Sequence, residues 1–351
     1  MLASLVVLLV AFGVILLGSW LFADGIEWFG HKLGLAEGAV GSILAAIGTA
    51  LPETMIPLVA ILLGGSAASD EVGIGAILGA PFMLATLAMA VTGLVVLAAR
   101  ARRTSGEQLD VDTRVLGEDV RYFAVAYGLA IAVAFAPIGW SFARPAAAIA
   151  LIGLYLFYVR AHLAAETAAG KAEDLRPLRF HRLDRHGRRL DPVVPRLRIV
   201  GLQVLAAMAC TVGGAYIFVH ALSDLAAGLG VGPALLALVI APLATELPEN
   251  INSFIWITRG KDTLALGNIT GAMVFQSCVP TVVALALAPD HWVAGPGSQL
   301  VFLSAFVAFA ATGAIFLPMA RRARLVGRGL LVGGLFYAAY LAVVVLGLVR
   351  G

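Results

Sequence analysis

The sequence predicts an all-α polytopic membrane protein: ten transmembrane helices forming two inverted five-helix repeats, with broken helices at the midplane. Three observations predict it. Charged residues are 13% of 351 and apolar residues 61%, with a mean hydropathy of +0.96. Basic residues are confined to alternate loops. One short motif recurs in matching positions of the two halves. A soluble domain averages nearer a quarter charged residues, because its surface must face water. The composition therefore excludes a soluble enzyme, a nucleic-acid binder and a disordered chain.

A bilayer-spanning helix needs about 20 largely apolar residues. Ten stretches qualify, at 2–22, 38–64, 72–99, 120–137, 144–160, 199–219, 231–258, 263–288, 298–319 and 329–349. The first lacks the basic leader and small-residue exit of a cleaved signal and reads as a span. With the N-terminus outside, 22 of the 24 lysines and arginines fall in inside loops, leaving only Arg144 and Arg350 outside. That bias sets the orientation and supports the span count, since a missed helix would scramble the alternation. The expected organisation is an N-terminal half at 1–160, a cytoplasmic basic loop at 161–198 and a C-terminal half at 199–351. The loop carries Pro177, Pro192 and Pro195 and reads as a hinge. Its arginines serve topology or bind anionic lipid. Cys210 and Cys278 fall inside apolar runs and read as small buried hydrophobes.

The repeat lies in the second span of each half. Thr49-Ala50-Leu51-Pro52-Glu53 is matched 196 residues later by Thr245-Glu246-Leu247-Pro248-Glu249. Each is followed by a glycine pair, Gly75-Ala76-Ile77-Leu78-Gly79 and Gly267-Asn268-Ile269-Thr270-Gly271. Five spans per half is an odd number, so the second half enters the membrane the opposite way up. Inverted repeats of this kind are common in secondary transporters. The proline removes a backbone donor and clashes with the preceding turn, breaking the helix near mid-membrane. Freed carbonyls are tolerated there only inside protein or along a wet cavity. They are good ligands for hard cations.

On these boundaries Glu53, Glu246 and Glu249 are the only acids deep inside spans, and no lysine, arginine or histidine lies at that depth. A lone charge at bilayer depth costs several kcal/mol, so a cation or a proton must visit. Thr49 and Thr245 each precede a repeat glutamate by four residues, on the same helix face. Hydroxyls, carboxylates and carbonyls make an all-oxygen shell suited to Ca²⁺, Mg²⁺, Mn²⁺ or Na⁺.

The doubled Thr-x-Leu-Pro-Glu with Gly-x-Ile-x-Gly resembles the two α-repeats of the calcium/cation antiporter superfamily, in its sodium/calcium exchanger branch. Here they cover about 39–95 and 235–288, and the ten-span plan extends the likeness over nearly the whole chain. The resemblance implies that Glu53 and Glu249 bind Ca²⁺ and Na⁺ in alternation, with Thr49 and Thr245 beside them. Carbonyls near Ala46 and Pro242 would assist.

The sequence departs from that family's pattern. Ala50 and Glu246 stand where serine is usual, as do Ala80 and Ala272. Leu84 and Gln276 stand where asparagine or aspartate is usual, and Pro81 and Met273 replace a further asparagine. The first half loses most side-chain oxygens, while Glu246, Asn250, Asn268, Thr270 and Gln276 enrich the second. Glu246 reads as a third carboxylate near the site or as a group bonded to a neighbouring helix. Clustered carboxylates raise one another's proton affinity, which favours H⁺ as counter-ion.

The expected function is secondary antiport of Ca²⁺ or a similar hard cation against Na⁺ or H⁺ by alternating access. Alternatives are a cation/proton exchanger with another main substrate, or a degenerate membrane sensor. An intramembrane enzyme lacks a histidine at depth and is not expected. The expected partners are inorganic cations and membrane lipid, without cofactor, nucleic acid or obligate protein partner. The expected location is a prokaryotic inner membrane, both termini outside.

Overall fold

A computed structural model describes residues 2–50, 76–137, 139–164, 175–191, 193–228, 246–295, 299–322 and 324–350. Helices dominate. Seven described helices are long and apolar enough to cross a membrane. They coincide with the first, third, fifth, sixth, eighth, ninth and tenth predicted spans. The fourth is α5, Thr113–Ala134, whose first turns are charged and whose remainder is apolar. The second and seventh predicted spans run into 51–75 and 229–245, outside the described residues.

Helix α1, Leu2–Lys32, has 31 residues. At 1.5 Å per residue it is about 46 Å long, well beyond a hydrocarbon core of about 30 Å. It therefore extends ten residues past the predicted span. It packs along α8, Leu197–Gly228, where Ile15 meets Gly214, Gly18 meets Thr211 and Gly25 meets Val204. Residue numbers rise on one helix as they fall on the other, so the first helices of the two halves are antiparallel. A Cβ on Gly18 would come 2.9 Å from the Thr211 backbone nitrogen, so the close approach needs glycine there.

The first repeat begins with α2, Glu37–Ala39, a π-helical turn at Val40–Ala45, and α3, Ala46–Thr49. The helix stops at Ala50, two residues before Pro52. A helix over 76–83 continues through a second π-helical turn, Leu84–Ala88, into α4, Met89–Ala99. Helix α6 covers Ala143–Ala164. In the second half, α9 (Leu247–Thr258) starts at the Leu-Pro-Glu motif and leads into α10 (Asp262–Leu287). Helices α11 (Gln299–Arg322), α12 (Gly327–Leu330) and α13 (Val332–Arg350) complete the chain.

The basic loops gather at one end. A two-residue antiparallel ladder pairs Gln108–Leu109 with Leu325–Val326. Arg103 bridges to Asp262 at 2.5 Å, Arg259 to Asp24 at 2.8 Å, and Lys261 to Glu27. Trp28 donates to the Arg176 carbonyl at 2.7 Å. All these residues belong to, or border, the loops that charge bias assigns to one face.

The structure adds detail to three expectations. Asp24, Glu27 and Asp119 are also buried acids, and Arg144 and His162 are buried basic groups. Asp24 and Glu27 lie on the long extension of α1, and Asp119 and His162 sit just outside the predicted limits of 120–137 and 144–160. Arg144, assigned to an outer loop, is 4% exposed and donates to the Trp292 and Ala136 carbonyls. In the basic loop, which carries α7 (Arg185–Leu190), residues 175–191 and 193–196 pack on α1 and α8. There Leu178 packs with Trp28 and Val200, and Arg179 lies 3.7 Å over the Trp20 ring.

Candidate ion-binding site

The site is built where two helix ends carry the repeated motif. Glu246 is the N-cap of α9, Pro248 occupies its first turn, and Glu249 follows. Proline suits this place because the first amide lacks an intrahelical partner anyway. A carboxylate in a helix's first turn also faces the positive end of its dipole. Glu249 is fully buried and Glu246 is 2% exposed, so Glu246 does not reach water along the helix. Glu246 and Glu249 are three residues apart at the start of one helix, the spacing of neighbouring side chains on a helix surface.

The other side is supplied by α3. Thr49 Oγ lies 3.1 Å from the Ala45 carbonyl, 3.4 Å from the Ala46 carbonyl and 3.1 Å from Asn268 Oδ1 on α10. Asn268 Nδ2 in turn donates to the Glu249 carbonyl at 3.5 Å. The bridge therefore joins the first repeat, α10 and the start of α9. A hydroxyl has one proton, and here it faces three acceptor oxygens. The Ala46 carbonyl also accepts the Ala50 N–H at 3.0 Å, so Thr49 bonds back onto its own helix and reaches across to Asn268.

Further polar groups are buried nearby on the same two helices. Both polar atoms of Asn252 and of Gln276, and Glu246 Oε2, find no hydrogen-bond partner among the described residues. Gln276 is 2% exposed. An orphaned buried amide costs about 1–3 kcal/mol, so groups kept in this state need a ligand, water or another partner. Asn250 is differently employed, donating to the Glu246 carbonyl at 2.8 Å. Of the predicted residues, Thr49, Ala46, Glu246, Glu249 and Gln276 are described, while Glu53, Thr245 and Pro242 lie outside the described residues. Leu84 is wholly buried in its π-helical turn, where a family asparagine or aspartate would offer oxygen.

The sequence reading missed a second polar cluster. Asp119, wholly buried on α5, receives Ser42 Oγ at 2.8 Å and Thr270 Oγ at 2.5 Å on Oδ2. Tyr158 Oη lies 3.0 Å from Oδ1, and His162 Nε2 forms an ion-pair contact with the same oxygen at 2.9 Å. The available signal was helical spacing: Tyr158 and His162 are four apart on one face. Thr270 was read only as extra oxygen for the ion site, yet it faces Asp119.

The sodium/calcium exchanger protein family matches residues 3–163 and 200–349. A provisionally named antiporter, CaxA, of Alkalimonas amylolytica is 32% identical over 139 residues, which is 39% of this chain and 41% of that protein's length. Two solved structures of the sodium-calcium exchanger NCX_Mj share the fold. The form soaked with 10 mM Na⁺ and zero Ca²⁺ has a TM-score of 0.70 at 17% identity, covering 97% of this chain and 98% of that one. The form soaked with 2.5 mM Na⁺ and 0.1 mM Sr²⁺ gives 0.71 at 16%, with the same coverage. With nearly the whole chain matched, this protein belongs to the sodium/calcium exchanger protein family.

Proposed function

We propose that this protein is a secondary active antiporter that moves Ca²⁺ or a similar hard cation against Na⁺ or H⁺ by alternating access. The carrying observation is the Thr49–Asn268–Glu249 bridge, which ties the first repeat to the backbone of a wholly buried glutamate at the start of α9. Glu53 and Glu249 supply the countercharge. Thr49, Thr245, the Ala46 and Pro242 carbonyls and Gln276 complete an oxygen shell, and Glu246 is the third carboxylate. The antiparallel first helices and the gathered basic loops support two inverted five-helix halves, 1–160 and 199–351. The basic loop between them is placed in the cytoplasm and both termini outside.

The counter-ion is assigned to H⁺. Na⁺ needs several oxygens to replace its water, and Ala80, Leu84 and Ala272 supply no side-chain oxygen. A proton needs one basic oxygen, and Glu246 beside Glu249 offers it. The test is ⁴⁵Ca²⁺ uptake into proteoliposomes under imposed gradients. Uptake driven by a pH gradient and indifferent to Na⁺ is expected. Uptake driven strictly by Na⁺ and flat from acid to alkaline pH would overturn the H⁺ assignment. Absence of Ca²⁺ uptake under either gradient would favour another cation or a non-transporting role.

A further inference from the structure

The Asp119 cluster lies apart from the residues assigned to the ion, and it draws on four helical segments. Ser42 comes from the π-helical turn of the first repeat, Thr270 from α10 of the second, Asp119 from α5, and Tyr158 with His162 from α6. All five side chains are nine-tenths or more buried. The carboxylate accepts three hydrogen bonds, from Ser42 and Thr270 on Oδ2 and from Tyr158 on Oδ1, and has His162 Nε2 at ion-pair distance from Oδ1. The chain keeps both this charge and its partners out of water. Such an arrangement costs desolvation energy and is more readily explained by the geometry it specifies than by stability.

What it specifies is the seating of the first repeat on α10. Tyr158 Oη also lies 2.9 Å from the Ser42 carbonyl, so the same turn is held through backbone and side chain. The contact beneath is backbone to backbone: a Cβ on Gly271 would lie 2.1 Å from the Ser42 carbonyl oxygen. Seven residues after Ser42 comes Thr49, and two residues before Thr270 comes Asn268. These are the two side chains whose 3.1 Å contact joins the repeats at the ion site. Helices α5 and α10 are locked in parallel register as well, since Asp112 N–H donates to Thr263 and Asp119 meets Thr270 seven residues further along both. His162 Nε2 lies 2.9 Å from Asp119 Oδ1, at ion-pair distance but outside hydrogen-bond geometry, and its Nδ1 lies 3.1 Å from the Tyr158 carbonyl.

We propose that Asp119 is a positioning residue for cation binding: it fixes Ser42 to Thr270 and so sets the Thr49–Asn268 spacing beside Glu249. This rests on the reading of that site as the ion site. It acts through other residues and touches no ion itself.

The experiment uses the full chain in proteoliposomes. The half-saturating Ca²⁺ concentration and maximal exchange rate are measured for wild type, Asp119→Asn, Ser42→Ala, Thr270→Val and the Ser42→Ala/Asp119→Asn double variant. The amide introduced by Asp119→Asn would retain the shape but offer one acceptor oxygen and no charge for His162. Asp119→Asn should raise half-saturating Ca²⁺ at least tenfold, and Ser42→Ala and Thr270→Val about three- to tenfold, with maximal rates within about threefold of wild type. The double variant should be no worse than Asp119→Asn, because both changes break one linkage. Thr270→Ser should restore the wild-type value. Unchanged half-saturation in folded Asp119→Asn, or losses confined to maximal rate, would make the cluster structural only and overturn the proposal. If Asp119→Asn does not fold, unchanged half-saturation in Ser42→Ala and Thr270→Val has the same force. Wild type without Ca²⁺ exchange would instead defeat the ion-site reading, and this proposal with it.

Discussion

In the proposed site the two repeats carry the same motif but divide the work differently. The first contributes backbone: two π-helical turns, a helix ending beside Pro52, and carbonyls of Ala45 and Ala46 around Thr49. Where oxygen-bearing side chains are usual it has Ala80 and the buried Leu84. The second contributes side chains: Glu246, Glu249, Asn252, Asn268 and Gln276, on helices without a described π turn. A π turn displaces a helical carbonyl from its regular partner, and such turns recur at functional sites. The contrast teaches that a pseudo-symmetric pair of repeats need not share ligands equally. One half can keep the carboxylate and lend main-chain oxygens while the other accumulates polar side chains.

The strongest way to break this comparison is to remove either repeat glutamate. Glu53→Gln and Glu249→Gln should each abolish ⁴⁵Ca²⁺ exchange, because half the countercharge of a divalent ion is lost, while detergent-extracted protein remains monodisperse. Equal retention of exchange by both variants would remove the shared site. Next in size is the asymmetry itself. Gln276→Leu should raise half-saturating Ca²⁺ about tenfold, whereas Leu84→Ala should leave it within about twofold, since only the former deletes an oxygen. Similar effects at both positions would erase the contrast.

A smaller effect sharpens the role of the extra carboxylate. Glu246→Ser should flatten the pH dependence of exchange more than it alters any Na⁺ dependence, read from uptake rates between acidic and alkaline pH. The smallest effect lies outside the repeats. Asp184 is hydrogen-bonded first by Arg196 and then by the Gly187 N–H, which together hold its carboxyl below the usual aspartate value. Its contribution to holding the fold of the segment around α7 is therefore present above about pH 4 and lost as pH falls through the lowered folded value. Protease sensitivity of that segment should rise on acidification below about pH 4. In Asp184→Asn it should already be raised at neutral pH.

Much of the fold was legible in the sequence because the bilayer demands long apolar runs and charge bias orders the loops. The Leu-Pro-Glu repeat likewise located Thr49 and Glu249, since proline ends helices and a buried carboxylate needs a reason. What stayed hidden was polar burial by partnership. Span limits drawn at charged residues begin just after Asp119 and end just before His162, leaving out two groups that meet at 2.9 Å. Arg144 looked like a loop residue because nothing in the sequence reveals that the Trp292 and Ala136 carbonyls receive it. The shared bridge through Asn268 was equally invisible, because it joins positions 219 residues apart.

The central claim is that a hard cation sits between the first repeat's Thr49 and the second repeat's Glu249. The most direct measurement is anomalous diffraction from crystals of this protein soaked in Sr²⁺, a heavier analogue of Ca²⁺. The account predicts one dominant peak bonded to a Glu249 carboxylate oxygen and to Thr49 Oγ, at distances slightly longer than the 2.3–2.6 Å usual for Ca²⁺. That peak should be lost in Glu249→Gln crystals. A dominant peak elsewhere, or one that survives in Glu249→Gln, would contradict the account.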